Sequence, residues 1–242
     1  QIATCEYECI RFDPAAAGRS LSALNYYLED HIGNSANEPK DGVQRRSRAK
    51  NQPSAISLLG RTYRAMAKAG DAGAWQSVID TYANMLERYP DQLDVGYIGM
   101  AYRTEAFVQQ GKIEEAEAEY QAMLEVSASP GRLAIACFSL FMHYKSTGAK
   151  VTDVEKIITL REKEAEHLSS YNTYSPSKRW PNLLGEADLW MQLGDYGKSV
   201  VLFQLVMDKY SSDKGFTDAF RFKTQIGLVE SLLQLRRTGE AI

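Results

Sequence analysis

WPNLLGEADLWMQLGDYGKSVVLFQLVMDKY, residues 180–210, decides the fold. Trp190, Ala187, Leu183 and Trp180 stand 4, 7, 11 and 14 residues before Gly194. That spacing is one face of an α-helix. A glycine where the face stops suits the left-handed end of a helix, where a Cβ is penalised. Beyond it, Tyr196, Ser199, Phe203 and Val206 make a second helical face. The stretch therefore predicts helix, turn, helix.

The same frame recurs around Gly70, Gly111, Gly148 and Gly239. Met66, Tyr63, Leu59 and Ile56 precede the first of these. Phe107, Thr104, Met100 and Tyr97 precede the second. Tyr144, Phe141, Cys137 and Ala134 precede the third, and Leu235, Leu232, Leu228 and Gln225 the last. Of the twenty positions, eighteen are apolar or aromatic; Thr104 and Gln225 depart. Second stripes follow most of these glycines. They are Trp75, Val78, Tyr82 and Met85; then Ile113, Ala116, Tyr120 and Met123. After Gly148 the turn is longer, and Val154, Ile157, Ile158, Arg161 and Ala165 form a weaker stripe. Pro90, Pro130, Pro176 and Pro181 stand as breakers between units. Successive anchor glycines are 41, 37, 46 and 45 residues apart, so the units are irregular in length. One helical pair cannot bury both of its faces, which makes the array the folding unit.

These residues resemble the tetratricopeptide repeat. That family orders a large apolar residue, a small one, an aromatic, Gly, an aromatic, Ala and an aromatic along each helical pair. Leu183, Ala187, Trp190, Gly194, Tyr196 and Phe203 match in turn, with Ser199 where the family has Ala. Met100, Phe107, Gly111, Ile113, Ala116, Tyr120 and Met123 match next best, with Thr104 a departure. The resemblance implies an all-α chain: a right-handed α-solenoid of antiparallel helix pairs. About four and a half units would fill 53–242, the fifth stopping just before its second helix. The short insert Gly70–Gly73 departs from the family's turn.

Residues 1–52 read differently, as an N-terminal helix plus an exposed polar loop. AAAGRSLSALNYYLEDH, 15–31, reads as a helix with Leu21, Leu24, Tyr27 and Leu28 inward. GNSANEPKDGVQRRSRAKNQPS, 33–54, has Gly and Pro breakers and no apolar period, and reads as a loop.

The chain holds 242 residues with a formal net charge of −3, against the basic excess usual in nucleic-acid binders. No run approaches the roughly 18 apolar residues of a membrane span. The Gln1 start suits either a removed signal peptide or a sequence that begins inside a longer one. His31, His143 and His167 form no HxxxH or HExxH pair. There is no phosphate-binding GxxxxGK[ST], no GxGxxG after a strand and no GxSxG elbow. Cys5 and Cys9 stand four apart without further ligands. They are read as two thiols, a disulfide, or a metal or covalent attachment point. Cys137 sits among apolar residues and reads as core. Glu114, Glu115, Glu117 and Glu119, with Glu162, Glu164 and Glu166, read as solvent faces. Arg45, Arg46, Arg48 and Lys50 read as a solvated basic run. Tyr171, Tyr174 and Trp180 flank a long connection and read either as a contact surface or as rings packed against neighbouring helices. No catalytic, metal or cofactor site is expected.

In the family resembled, the first helix of each pair lines a concave groove. Carried over, those positions are Ser57, Gly60, Arg64 and Ala67; Ile98, Ala101, Glu105 and Val108; Ile135, Phe138, Met142 and Lys145. Pro181, Leu184, Asp188 and Met191 follow, then Ile226, Val229, Leu233 and Arg236. Ile98, Glu105, Phe138, Met142, Leu184, Asp188 and Met191 are the candidate contacts with a helical or extended peptide of a partner protein; the alternative is a groove closed by tight winding or filled by the chain's own N-terminal helix. Arg64 and Lys145 are too few cations for the family's chaperone-tail clamp. The expected function is thus a protein-binding scaffold or assembly subunit. Its rivals are an exported, periplasmic envelope assembly factor of bacteria and the non-catalytic regulatory arm of a larger enzyme.

Overall fold

A computed structural model describes residues 15–28, 42–90, 93–126, 128–175 and 179–236, with the backbone alone at 42–51 and 93–95. Cys5, Cys9, His31 and Gly239 lie outside the described residues. Among those residues the chain is all-α. Ten helices follow one another: α1 Ala15–Leu28, α2 Gly42–Lys68, α3 Ala74–Arg88, α4 Leu93–Gln109 and α5 Ile113–Glu125. Then come α6 Pro130–Gly148, α7 Val154–Tyr174, α8 Trp180–Gln192, α9 Tyr196–Tyr210 and α10 Asp218–Gln234. The chain divides into two compact units, 1–132 and 133–242.

In the first unit each helix packs on the next, and α4 also returns to touch α2. The stripe expected on α3 is its core: Val78 and Tyr82 are fully buried, with Met85 and Trp75 nearly so. Tyr82 lies between two first helices, and its hydroxyl donates to the Ser57 carbonyl at 3.0 Å. A Cβ on Gly60 would stand 2.5 Å from that ring, and one on Gly99 2.8 Å. On α5, Ala116, Tyr120 and Met123 are buried as their spacing predicts.

In the second unit, Phe141 of α6, Ala165 and Leu168 of α7 and Leu189 of α8 share one buried cluster. Leu184, Ala187 and Phe203 form another across α8 and α9, with Leu228 of α10 against it. Leu183, Val206 and Phe216 make a third, covered by Trp180. Trp180 rests on Phe216 and Phe220 at ring distances of 5.2 and 4.6 Å. Tyr171 packs on the first cluster. Both rings therefore pack against helices, the second of the two readings. Cys137 is buried.

Three anchor glycines end their helices by one device. Gly70, Gly111 and Gly194 have φ of 116°, 74° and 82°. In each, the glycine N–H reaches back three residues and the next N–H five. Gly194 N donates to the Met191 carbonyl at 3.1 Å and Asp195 N to that of Trp190 at 2.9 Å. This double bond pattern satisfies carbonyls that a helix end leaves open, and its left-handed residue selects Gly. Gly148 is the last residue of α6 without a positive φ. At the final helix the left-handed residue is Arg236, with φ 57°, so the turn comes before Gly239.

Several sequence expectations need correction. The segment 33–54 is not all loop, because α2 begins at Gly42. Gln, Arg, Ala and Lys are good helix formers; periodicity reports burial, and its absence there said nothing about helicity. The basic run Arg45 to Lys50 thus lies on a helix. The first helix is described over Ala15–Leu28 and buries Leu24 with Ala16, Ala17 and Ser20; the expected end at 31 lies outside the described residues. On α7 the buried face is shifted. Val154 and Ile158 are exposed at 68% and 48%, while Glu164, Ala165, His167, Leu168 and Asn172 are buried. Two glutamates read as solvated are not. Glu164 is buried and paired to Arg161. Glu119 stands 3.3 Å from Arg103, and burial pushes its carboxyl above the usual range against that arginine's pull.

Candidate functional site

The face that the sequence assigns to a partner divides between buried and open positions. In the first unit it is closed. Ile98, Ala101 and Val108 are buried, and so is Glu105. Glu105 of α4 accepts from Arg64 Nε and, at 3.2 Å, from Arg64 Nη2. Lys68 Nζ stands 2.8 Å from the same carboxylate. Arg64 also lies 4.3 Å over the Tyr102 ring. The partner of Glu105 is therefore its own neighbouring helix, and Ile98 and Glu105 offer no surface. Leu184 is likewise buried, in the cluster with Phe203, and Met191 is half-buried against it.

On α6, in the second unit, the face is open. Phe138 and Met142 lie one turn apart on α6 and are 43% and 45% exposed. They border a cleft of about 410 Å³ whose walls come from α6, α7 and α8. Leu168 and Leu189 form its apolar floor, and Pro181, Asn182, Gly185 and Gln192 its α8 side. Phe138 is held by two rings, Phe141 at 6.1 Å and Tyr171 at 5.1 Å. A fixed aromatic at a cleft mouth loses little rotamer freedom when a ligand covers it.

Four charged side chains line the cleft: Lys145, Arg161, Glu164 and Asp188. Glu164 accepts from Arg161, one turn earlier on α7. Asp188 accepts from Lys223 of α10 at 2.6 Å. Lys145 sits 5.5 Å over the Phe141 ring. Behind the cleft, Asn172 Nδ2 donates to Glu186 at 2.7 Å, and Trp190 Nε1 donates to the same carboxylate at 3.4 Å. This buried contact ties α7 to α8. Nearby, burial lowers the His143 imidazole below its ordinary range. His167 stacks on Tyr144, with ring planes 3° apart.

Among the described residues no Ser, Thr, Cys or His side chain lines the cleft. Among the described residues no three His, Cys, Asp or Glu side chains converge as metal ligands. No helix among them is long and apolar enough to cross a membrane. What the cleft offers is apolar surface, one aromatic platform and charge.

Of the seven candidate contacts, Phe138, Met142 and Asp188 come together at this cleft, Met191 packs on the α8–α9 cluster, and Ile98, Glu105 and Leu184 are buried elsewhere. Sequence reasoning put Arg161 on the α7 stripe without assigning it to a site, and missed Glu164 and Leu168 because it read the former as solvated and the stripe without the latter. It also missed the ring-against-glycine contacts. Gly99 stands twelve residues before Gly111, and Gly227 twelve before Gly239, so the repeat frame itself held that signal. No family profile, curated protein or solved structure matches the chain.

Proposed function

We propose that this chain is a protein-docking scaffold of the tetratricopeptide-like kind, a right-handed array of helical pairs, whose working surface is the cleft of residues 133–242. The observation that carries the reading is the open pair Phe138 and Met142 above the Leu168 and Leu189 floor. A contiguous apolar surface in a cleft marks a binding site more often than a scattered apolar residue does. Helix grooves of this kind accept an amphipathic partner helix through side chains one turn apart. The recurring helix-ending glycines, and the packing of consecutive helices from α1 to α5 and from α7 to α10, support the array.

Each of the two side chains leaves nearly half of its surface to cover. Its burial contributes on the order of 1 kcal/mol or more. A chain carrying both Phe138→Ala and Met142→Ala should therefore bind its partner about a hundredfold more weakly. Both residues are exposed, so helicity by circular dichroism and the thermal midpoint should hold. Affinity purification at native expression checks this: the wild-type chain should retain a stoichiometric partner that the double variant loses. Equal recovery from both, or no stable partner from wild type, would overturn the proposal.

A further inference from the structure

We infer that the occupant of the cleft is an acidic amphipathic helix, with two bulky apolar side chains one turn apart and a carboxylate one turn beyond. The inference rests on the docking reading above and adds the chemistry of the partner.

Each carboxylate at the cleft is answered from within the protein: Glu164 by Arg161 and Asp188 by Lys223. Lys145 is different. Among the described residues its recorded contact is a ring face, Phe141, and no carboxylate is paired with it. The cleft thus holds one positive charge beyond its internal pairs, on a chain whose net charge is −3. Lys145 is exposed, with its ammonium 5.5 Å from the Phe141 ring centroid, so an incoming carboxylate can reach it beside the apolar pair. A lysine or arginine in the same place would meet like charge, which gives the site its selectivity.

Spacing sets the rest. Phe138, Met142 and Lys145 stand at i, i+4 and i+7 on α6 and so share one face. At 1.5 Å per residue the face runs for about 10 Å. A partner helix laid along it meets apolar, apolar and then cationic groups, each about one turn from the last. Its matching face carries apolar, apolar and acidic side chains at that same pitch. An extended peptide would put alternate residues about 7 Å apart and miss the register.

A displayed library of 18-residue helical peptides tests this, with the positions of one face randomised. Selection on the wild-type chain should enrich large apolar residues one turn apart and Asp or Glu one turn on. Selection on Lys145→Glu should keep the apolar pair and replace the acid by Lys or Arg. The enriched acidic peptide should bind the Lys145→Glu chain several-fold more weakly than wild type, the order expected when an exposed attraction is turned into a repulsion. Selection on Met142→Asp should give no enrichment. Apolar enrichment without charge preference, or a preference unmoved by Lys145→Glu, would overturn the acidic partner while leaving the docking reading intact. No enrichment on the wild-type chain would overturn both.

Discussion

At residue 227 a β-carbon would stand 2.4 Å from Cζ of Phe203, inside any tolerable contact. Phe203 is fully buried at the centre of α9, so it has nowhere to retreat. Glycine weakens a helix interior by roughly 1 kcal/mol relative to alanine; here close packing of α10 on α9 outweighs that propensity. Gly227→Ala should destabilise the protein by about 1–3 kcal/mol, the usual cost of overpacking, read as a lower urea midpoint. The second substitution Phe203→Leu shortens the opposing side chain. The double variant should recover part of the loss that Gly227→Ala causes alone. Strictly additive losses would mean that the ring is not what meets the new methyl. The same logic explains what the sequence hides at this scale. A glycine at a helix end announces itself, because the left-handed turn at Gly111 or Gly194 admits little else. A glycine inside a helix, such as Gly99 or Gly227, is marked only by its place in the repeat frame until the ring it faces is known.

Among the elements, the helical pairs were legible and their polar joints were not. The 3-4-3 faces reported burial on α3, α5, α8 and α9, because apolar side chains declare their need to leave water. Glu164, Glu186 and Asn172 carried the opposite signal yet are buried, since an internal partner replaces the water each would lose. The start of α2 went unread for a related reason: a helix of Arg, Gln and Lys has no apolar stripe. Turns show where local chemistry does specify an element. Asp195 follows Gly194 and accepts from Lys198 N at 3.1 Å, capping α9. Lys198 Nζ lies 2.9 Å from the same carboxylate. The hydrogen bond to the Lys198 side chain, then that to its backbone N–H, holds the Asp195 carboxyl below its ordinary range. A carboxyl depressed in the folded state adds stability above its unfolded pKa, and that stability is lost as pH falls through the folded one. Asp195→Ala should cost about 1 kcal/mol at neutral pH, the usual value of an N-cap. The gap between the variant and wild type should narrow as the pH drops below the carboxylate range. A pH series of thermal melts measures it, and a constant gap down to strongly acidic pH would show that the charge of Asp195 plays no part.

Across the molecule, the same kind of first-helix face serves two ends. On α4 it is spent on packing: Ile98, Ala101 and Val108 are buried and Glu105 is bonded to Arg64. On α6 it stays open at Phe138 and Met142 over the cleft. Periodicity alone could not separate these outcomes, because an apolar residue on a groove face looks the same in sequence whether a neighbouring helix or a partner covers it. The separation comes from what surrounds each face. Glu105 finds two cations within reach, whereas at the α6 face Lys145 meets a ring. The account therefore stands on the α6 face being a contact surface in the working protein. Site-specific photo-crosslinking tests that most directly. A photoreactive phenylalanine analogue replaces Met142 in one chain and the exposed Lys163 of α7 in a second, each expressed at native level in its own cells. The account predicts a discrete adduct with a partner protein from position 142, absent from position 163, and lost when Phe138→Asp is added. No adduct at 142, or equal adducts from both positions, would contradict it.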